Sequence, residues 1–276
     1  MAAHKNLISL VVKAFFLGLS RQIPPFDLAR KHINSASFGV LSYPHQKDNI
    51  IQVTLSEYVT NIEEFVLQLH KEGVKYYEEC FSNSPPEVWV DGNFASVWTS
   101  HHAFADGKLL HNTYSVFSLH KIEDTWKITG VASTQVQPDV PAPPISSKPT
   151  PEIMLNVEYL FESIRSCDWD KFLLVLLPDA GASLSRPPLP LENTTWPKLV
   201  KAFVEAADKL PPGVFMDPRP YDVEVRAVED LAFVWMHLKV SINGKPLSSG
   251  SSTFTLLHRD GNWLISGIQD VGRQAQ

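Results

Sequence analysis

Cysteine is scarce in this chain. There are two in 276 residues, Cys80 and Cys167, and they match no metal-ligand spacing. That argues against a disulfide framework and for a reducing, cytoplasmic setting, with both thiols as small buried hydrophobes. Positive charge is nowhere concentrated. The net charge is -6 and no basic run occurs, so a nucleic-acid partner is not expected, because phosphate binding needs clustered lysine and arginine. Long apolar runs are missing too. None reaches the roughly 20 residues a membrane span requires, so no membrane partner is expected. The stretch 7–19 is interrupted by Lys13 and followed by no clear small-residue cleavage site, so it reads as an amphipathic first helix and not as a signal peptide. A Gly-rich phosphate loop, a nucleophile elbow, a zinc spacing and a carboxylate pair are all lacking. No cofactor and no metal are expected.

Proline is plentiful and concentrated. Residues 135–151 read QVQPDVPAPPISSKPTP. Proline lacks the amide donor and fixes φ, so this stretch suits a stiff, extended linker and not a helix or central strand. It divides the chain into a domain over 1–134 and a second over 152–276.

The two sides repeat. Residues 94–131 align without a gap to 231–268, at an offset of 137. Trp98 meets Trp235, Gly107 meets Gly244, Trp126 meets Trp263 and Gly130 meets Gly267. One supersecondary unit has been used twice. In the first copy it is a meander of strands at 94–104, 109–120 and 126–133, turning at Asp106-Gly107 and Glu123-Asp124. The second copy turns at Asn243-Gly244 and Asp260-Gly261. Asn-Gly and Asp-Gly are strong hairpin signals, because glycine takes φ > 0 without penalty. Helices precede each meander: 7–20, 26–33 and 55–70 in the first copy. In the second, Thr150-Pro151 starts one helix, Asp168 caps another over 169–176, and 196–210 forms a third. Helices first and a meander last predict an α+β fold with two tandem cone-shaped domains, each with three N-terminal helices packed on a curved antiparallel sheet.

The phrase VWVDGNFASVWTSHHAFADGKLLHNTYSVFSLHKIEDTWKITGV, 88–131, resembles the C-terminal half of a SnoaL-like domain of the nuclear transport factor 2-like superfamily. A tryptophan strand, a D-G-K turn and a W-K-I-x-G strand recur there. His111 stands at the family-like histidine, although Asn112 and Thr113 depart from the usual small residues. In the second copy the histidine becomes Ser248. The resemblance implies a small hydrophobic metabolite as partner. It implies cofactor-free lyase, isomerase or cyclase chemistry on a carbonyl compound, often in natural-product or polyketide pathways. It equally allows a non-catalytic ligand-binding or assembly module, because one fold hosts many functions.

Alternation assigns the faces. In the second copy Ala232, Val234, Met236 and Leu238 form an apolar row that must face the helices. The matching inner row of the first copy is Ala95, Val97, Thr99, His101 and Ala103. Phe117, Ser115, Thr113 and His111 share the inner parity of the next strand. A three-residue turn with a glycine bulge would set His101 opposite His111. The candidate catalytic pair is therefore His101 and His111, one as base and one as donor to an enolate. Thr99, Thr113, Tyr76 and Phe117 are the candidate ligand contacts, with Tyr77 and Tyr114 as further candidates. No inner-face carboxylate is evident to orient a histidine. The second copy, with Leu238 and Ser248 in place of the histidines, reads as a degenerate one. The outer rows carry Phe94, Trp98 and Phe104 in one copy and Phe233 and Trp235 in the other. Such rows need cover, and they suggest an intramolecular pseudo-dimer of the two domains.

Overall fold

The structure, a computed structural model, describes residues 2–21, 24–43, 50–140, 143–211 and 214–275. Pro141, within the proline-rich segment, lies outside them. The chain forms two compact units, Met1–Pro144 and Ile145–Gln276.

The first unit begins with helices α1 (Ala2–Leu19) and α2 (Phe26–Lys31), strands β1 (Ile33–Ser42) and β2 (Ile50–Thr54), and helix α3 (Leu55–Lys71). Strands β3 (Tyr77–Phe81), β4 (Glu87–Asp91), β5 (Phe94–Ala105), β6 (Lys108–Ile122) and β7 (Thr125–Val136) follow. On α1, Ile8, Val12, Phe15, Phe16 and Leu19 recur at helical spacing and are buried as one stripe. Burying each such side chain contributes about 1.5–3 kcal/mol, which is what holds the helix on the sheet. Gly18 lets α1 approach α2, since a Cβ there would sit 2.3 Å from the backbone nitrogen of Ala29. Helix α3 starts at a capping box in which Thr54 and Glu57 each satisfy the other's backbone amide.

The second unit has α4 (Pro151–Ser166), α5 (Trp169–Leu174), β8 (Gly181–Ser185), β9 (Glu192–Thr195) and α6 (Trp196–Ala207). Strands β10 (Met216–Val228), β11 (Leu231–Ile242), β12 (Lys245–Arg259) and β13 (Asn262–Gln274) complete it. The side chains of Thr150 and Asp168 accept from the backbone amides of Ile153 and Lys171, so both expected caps are made.

The two sheets share one strand order, except that β10 alone takes the edge that β3 and β4 divide in the first. The first runs β2-β1-β7-β6-β5-β3, with β4 also on β5, and the second runs β9-β8-β13-β12-β11-β10. The repeat is kept down to its irregularities. The β5–β6 bulge between Ala103 and Phe104 recurs in β11–β12 between Val240 and Ser241. Such bulges bend a strand and curve the sheet. Both residues of the Asp106-Gly107 turn have positive φ, the type that matches strand twist.

Two expectations need correction. The helices are not consecutive: a hairpin, β1–β2 or β8–β9, separates the second helix from the third in each unit. The sheets are also mixed, because β1 runs parallel to β7 and β8 parallel to β13. A parallel neighbour far along the chain leaves no local turn signal, and β1 shows no clean alternation of buried and exposed residues. The meander itself lies as expected, extended to Val136 in the first unit.

Candidate functional site

The odd-numbered rows of β5 and β6 face the helices. Ala95, Val97, Ala103, Phe117 and Leu119 enter the core with Phe15 and Phe16, while His101, His111 and Thr113 line a cavity of about 440 Å³ beside it. The expected register between the histidines is corrected by the hairpin. The turn has two residues, Ala105 facing Lys108, and the bulge falls at Leu110. His101 therefore lies opposite Thr113, and His111 opposite Ala103. The histidines are diagonal neighbours on one face.

His101 is 6% exposed. Its ring stacks on Phe16 at 4.5 Å between centroids. Nε2 lies 3.0 Å from the Ser115 hydroxyl, which lies 2.7 Å from that of Ser133. Ser133 in turn bonds Tyr58, on α3 at the cavity wall. This chain of hydroxyls occupies one ring nitrogen and leaves the other, Nδ1, on the side of Glu79. Nδ1 has no hydrogen-bond partner, and neither does the hydroxyl of Thr113, its cross-strand neighbour. Two adjacent buried polar atoms left unpaired cost stability unless a ligand or water meets them.

Facing Nδ1 at 3.6 Å is Oε2 of Glu79, the middle residue of β3. Tyr77, two residues earlier on the same face, donates its hydroxyl to Glu79 Oε1 at 2.6 Å. The strand is held at its start and at its middle. Asp106 accepts the backbone amides of Lys75 and Tyr76. The Ser20 hydroxyl, just beyond α1, accepts the Glu79 amide at 2.9 Å. Burial pushes the Glu79 carboxyl up to about 7, against the lowering effect of the Tyr77 hydrogen bond. Burial, with the neighbouring His111 and His102, pushes His101 down to about 3. The pair is thus a contact between an easily protonated carboxyl and a neutral imidazole, not an ion pair. His111 is lowered to about 4 by burial, and its Nε2 lies 3.3 Å from the side-chain amide of Gln135.

These values change the roles that the residue types alone suggest. Both histidines stay neutral near neutrality and are weak bases, whereas Glu79 titrates where a general base works best. Of the other expected contacts, Tyr76 is half-exposed and off the cavity, because strand parity turns Tyr77 inward instead. Phe117 packs against Phe15 and Phe16 in the core, and buried Thr99 donates to the Ser100 carbonyl. Tyr114 is on the other face and buried. Glu79 is the site residue that the sequence pattern does not single out. Its signal was the alternation Tyr77, Glu79, Phe81, hidden in the short run YYEECF.

No family model and no curated protein matches this chain. Solved structures similar to it include a protein of unknown function with a cystatin-like fold from Nostoc punctiforme PCC 73102. It is 16% identical over 44% of this chain and 88% of that chain, with a TM-score of 0.36. A nuclear transport factor 2-like protein of unknown function from Pseudomonas putida KT2440 is 13% identical, covering 44% and 83%, with a TM-score of 0.37. A nuclear transport factor 2-like protein from Cytophaga hutchinsonii ATCC 33406 is 19% identical, covering 43% and 93%, with a TM-score of 0.34. Each unit here is an α+β fold in which helices and a hairpin lead into a bent meander, and the two units share that strand order. Among the described residues no helix is long and apolar enough to cross a membrane. None of them forms a group of three or more His, Cys, Asp or Glu that could hold a metal ion.

Proposed function

We propose that the first unit is a cofactor-independent lyase, isomerase or cyclase that moves a proton next to the carbonyl of a small hydrophobic metabolite of the natural-product kind. The observation that carries this reading is the unpaired Nδ1 of His101, facing Glu79 across 3.6 Å in a cavity with Thr113. In the proposed step the Glu79 carboxylate takes a proton from the carbon beside the carbonyl, and the C–H electron pair forms an enolate. In this reading the Ser115 hydroxyl donates to Nε2, which leaves the ring proton on Nδ1. That N–H and the Thr113 hydroxyl donate to the enolate oxygen, and preorganised donors of this kind are large contributors to catalysis. The protonated Glu79 then returns its proton, either to another carbon or to a departing β-hydroxyl that leaves as water. His111 and Gln135 bind a second polar group of the substrate. A cytoplasmic setting belongs to the same reading, supported by two unpaired cysteines.

The test needs no known substrate. A panel of small hydrophobic ketones in D2O, followed by NMR, reports exchange of the α-protons. Extracts of a strain lacking the protein report a consumed intermediate. Wild type should exchange α-protons of at least one ketone class, and His101→Ala and His111→Ala should each lose that exchange with melting still cooperative. No exchange with any ketone and nothing consumed in extracts would sink the reading.

We further propose that the two units pair as a pseudo-dimer through the sheet faces turned away from their helices. In support, those faces carry the large aromatic side chains Phe94, Trp98, Phe233 and Trp235, and such rows need cover. The variant carrying both Trp98→Asp and Trp235→Asp should expand in small-angle scattering and lose its single melting transition. An unchanged radius and an unchanged melt would end the idea.

A further inference from the structure

The second unit also holds a cavity, of about 370 Å³. Its wall is the register counterpart of the first. Leu238 stands where His101 stands, Ser248 at His111, and Gly250 at Thr113. Strand β10 pairs with β11 as β3 pairs with β5, so Pro218, opposite Val240, takes the place of Glu79, opposite Ala103. Met216, opposite Ile242, takes the place of Tyr77, opposite Ala105. Every group that carries acid–base chemistry in the first unit is replaced, but the space is not filled. An apolar void of this size forfeits packing contacts that larger side chains would have supplied, so it is expensive to keep empty.

The wall is not uniformly apolar. Asp270 occupies the position of Ser133, and Arg186 at the end of β8 meets it with two parallel bonds, 2.5 Å to Oδ1 and 2.7 Å to Oδ2. Arg186 also donates to the Ser185 carbonyl at 2.8 Å. The guanidinium lies flat against Gly272, where a Cβ would come within 3.2 Å of it, so the absent side chain makes its seat. Its side chain is 47% exposed and that of Asp270 15%, which sets the pair at the rim of an interior lined by Phe161, Leu199, Phe203 and Phe254. The two charges cancel. What remains is a rim whose guanidinium is matched by Asp270 and also acted on by Glu192, so it carries no surplus of positive charge to draw a carboxylate.

We propose that this cavity is a second binding site, without catalysis, for an uncharged and mostly apolar small molecule that carries one hydroxyl or carbonyl at its end. The skeleton lies among the aromatic and aliphatic side chains and the oxygen meets the Arg186–Asp270 pair. The volume falls in the range of small-molecule pockets, roughly 300–1,000 Å³, and is too small for a peptide helix. A carboxylate ligand would have to compete with Asp270 for the guanidinium, and an ammonium would have to compete with Arg186 for the carboxylate. Neutral ligands are therefore selected over both.

The experiment uses the full chain with methyl-labelled isoleucine and leucine and titrates 1-decanol, decanoate and decylamine by NMR. Methyl signals of Ile164, Ile268 and Leu199 report this cavity, and those of Ile51 and Ile62 report the first. In wild type, 1-decanol should shift the first set and bind at least 10-fold more tightly than either charged analogue. Ala202→Trp puts bulk in the cavity at an exposed residue of α6 and should weaken that binding by 10-fold or more, with the Ile51 and Ile62 signals unchanged. Asp270→Asn removes one of the two carboxylates acting on the guanidinium and should narrow the preference for 1-decanol over decanoate. Shifts confined to Ile51 and Ile62, no shift at all, or equal binding by Ala202→Trp would overturn the site. Equal or tighter binding of decanoate to wild type would overturn the ligand class. Loss of α-proton exchange in the first unit bears on neither result, so the two readings fail separately.

Discussion

Glu79→Gln is expected to lower α-proton exchange, or turnover of any substrate of the first cavity, by about 10²- to 10⁴-fold, the range for losing a positioned general base. Glutamine keeps the size of the side chain and can still accept from the Tyr77 hydroxyl. The change therefore removes the titrating oxygen and little else. The wild-type rate should rise with pH through a midpoint near 7, where the carboxyl ionises. No competing titration of His101 or His111 should appear above pH 5, since burial holds them at about 3 and about 4. The measurement is a pH–rate profile of wild type beside the variant. A Glu79→Gln protein with the wild-type rate would remove Glu79 from the chemistry. A midpoint far below 7 would mean that the carboxyl is solvated.

The same carboxyl should depress the stability of the protein at high pH. Its folded value is about 7 against an ordinary 4.5, so the folded state keeps a proton that the unfolded chain releases first. Its stabilising effect is present in full below pH 4.5 and is lost as pH rises through about 7. At about 1.36 kcal/mol per pKa unit, the change is about 3 kcal/mol. Glu79→Gln does not titrate. The stability of the variant relative to wild type should therefore increase by about that amount between pH 4.5 and pH 8, read from urea unfolding at both values. The two histidines act in the opposite sense, because their folded values are lowered. Their contribution is present above about 6.5 and is lost as pH falls toward 4 and 3. They are the same in both proteins, so the difference isolates Glu79. A difference that does not change with pH would show that the carboxyl is not held in a dry site.

The repeat was legible because hairpins write local signals. Asp106-Gly107 and Asn243-Gly244 supply residues able to take positive φ, and the period of two along 94–104 assigns His101 to the inner face with Ala95 and Val97. The shared inner face of His101, His111 and Thr113 followed from parity alone. Their pairing did not. Whether an extra residue sits in the turn or three residues beyond it is decided by how the bent sheet closes over the helices, and the bulge at Leu110 moves His111 opposite Ala103.

The sequence by itself determined the two copies, the antiparallel meander, the helix caps at Thr150 and Asp168, and the polar inner wall of one copy against the apolar wall of the other. Each depends on neighbours within a few residues. Only the tertiary structure decided the parallel pairing of β1 with β7, whose partners lie some ninety residues apart and share no turn. It also decided that Glu79 is a buried acid. In YYEECF two adjacent glutamates look like a solvated edge. What desolvates one of them is the α1 terminus at Ser20, the aromatic packing around Phe16 and the imidazole of His101, all distant in sequence. The pKa of a carboxyl is set by what surrounds it, and for Glu79 those surroundings exist only once the chain has closed.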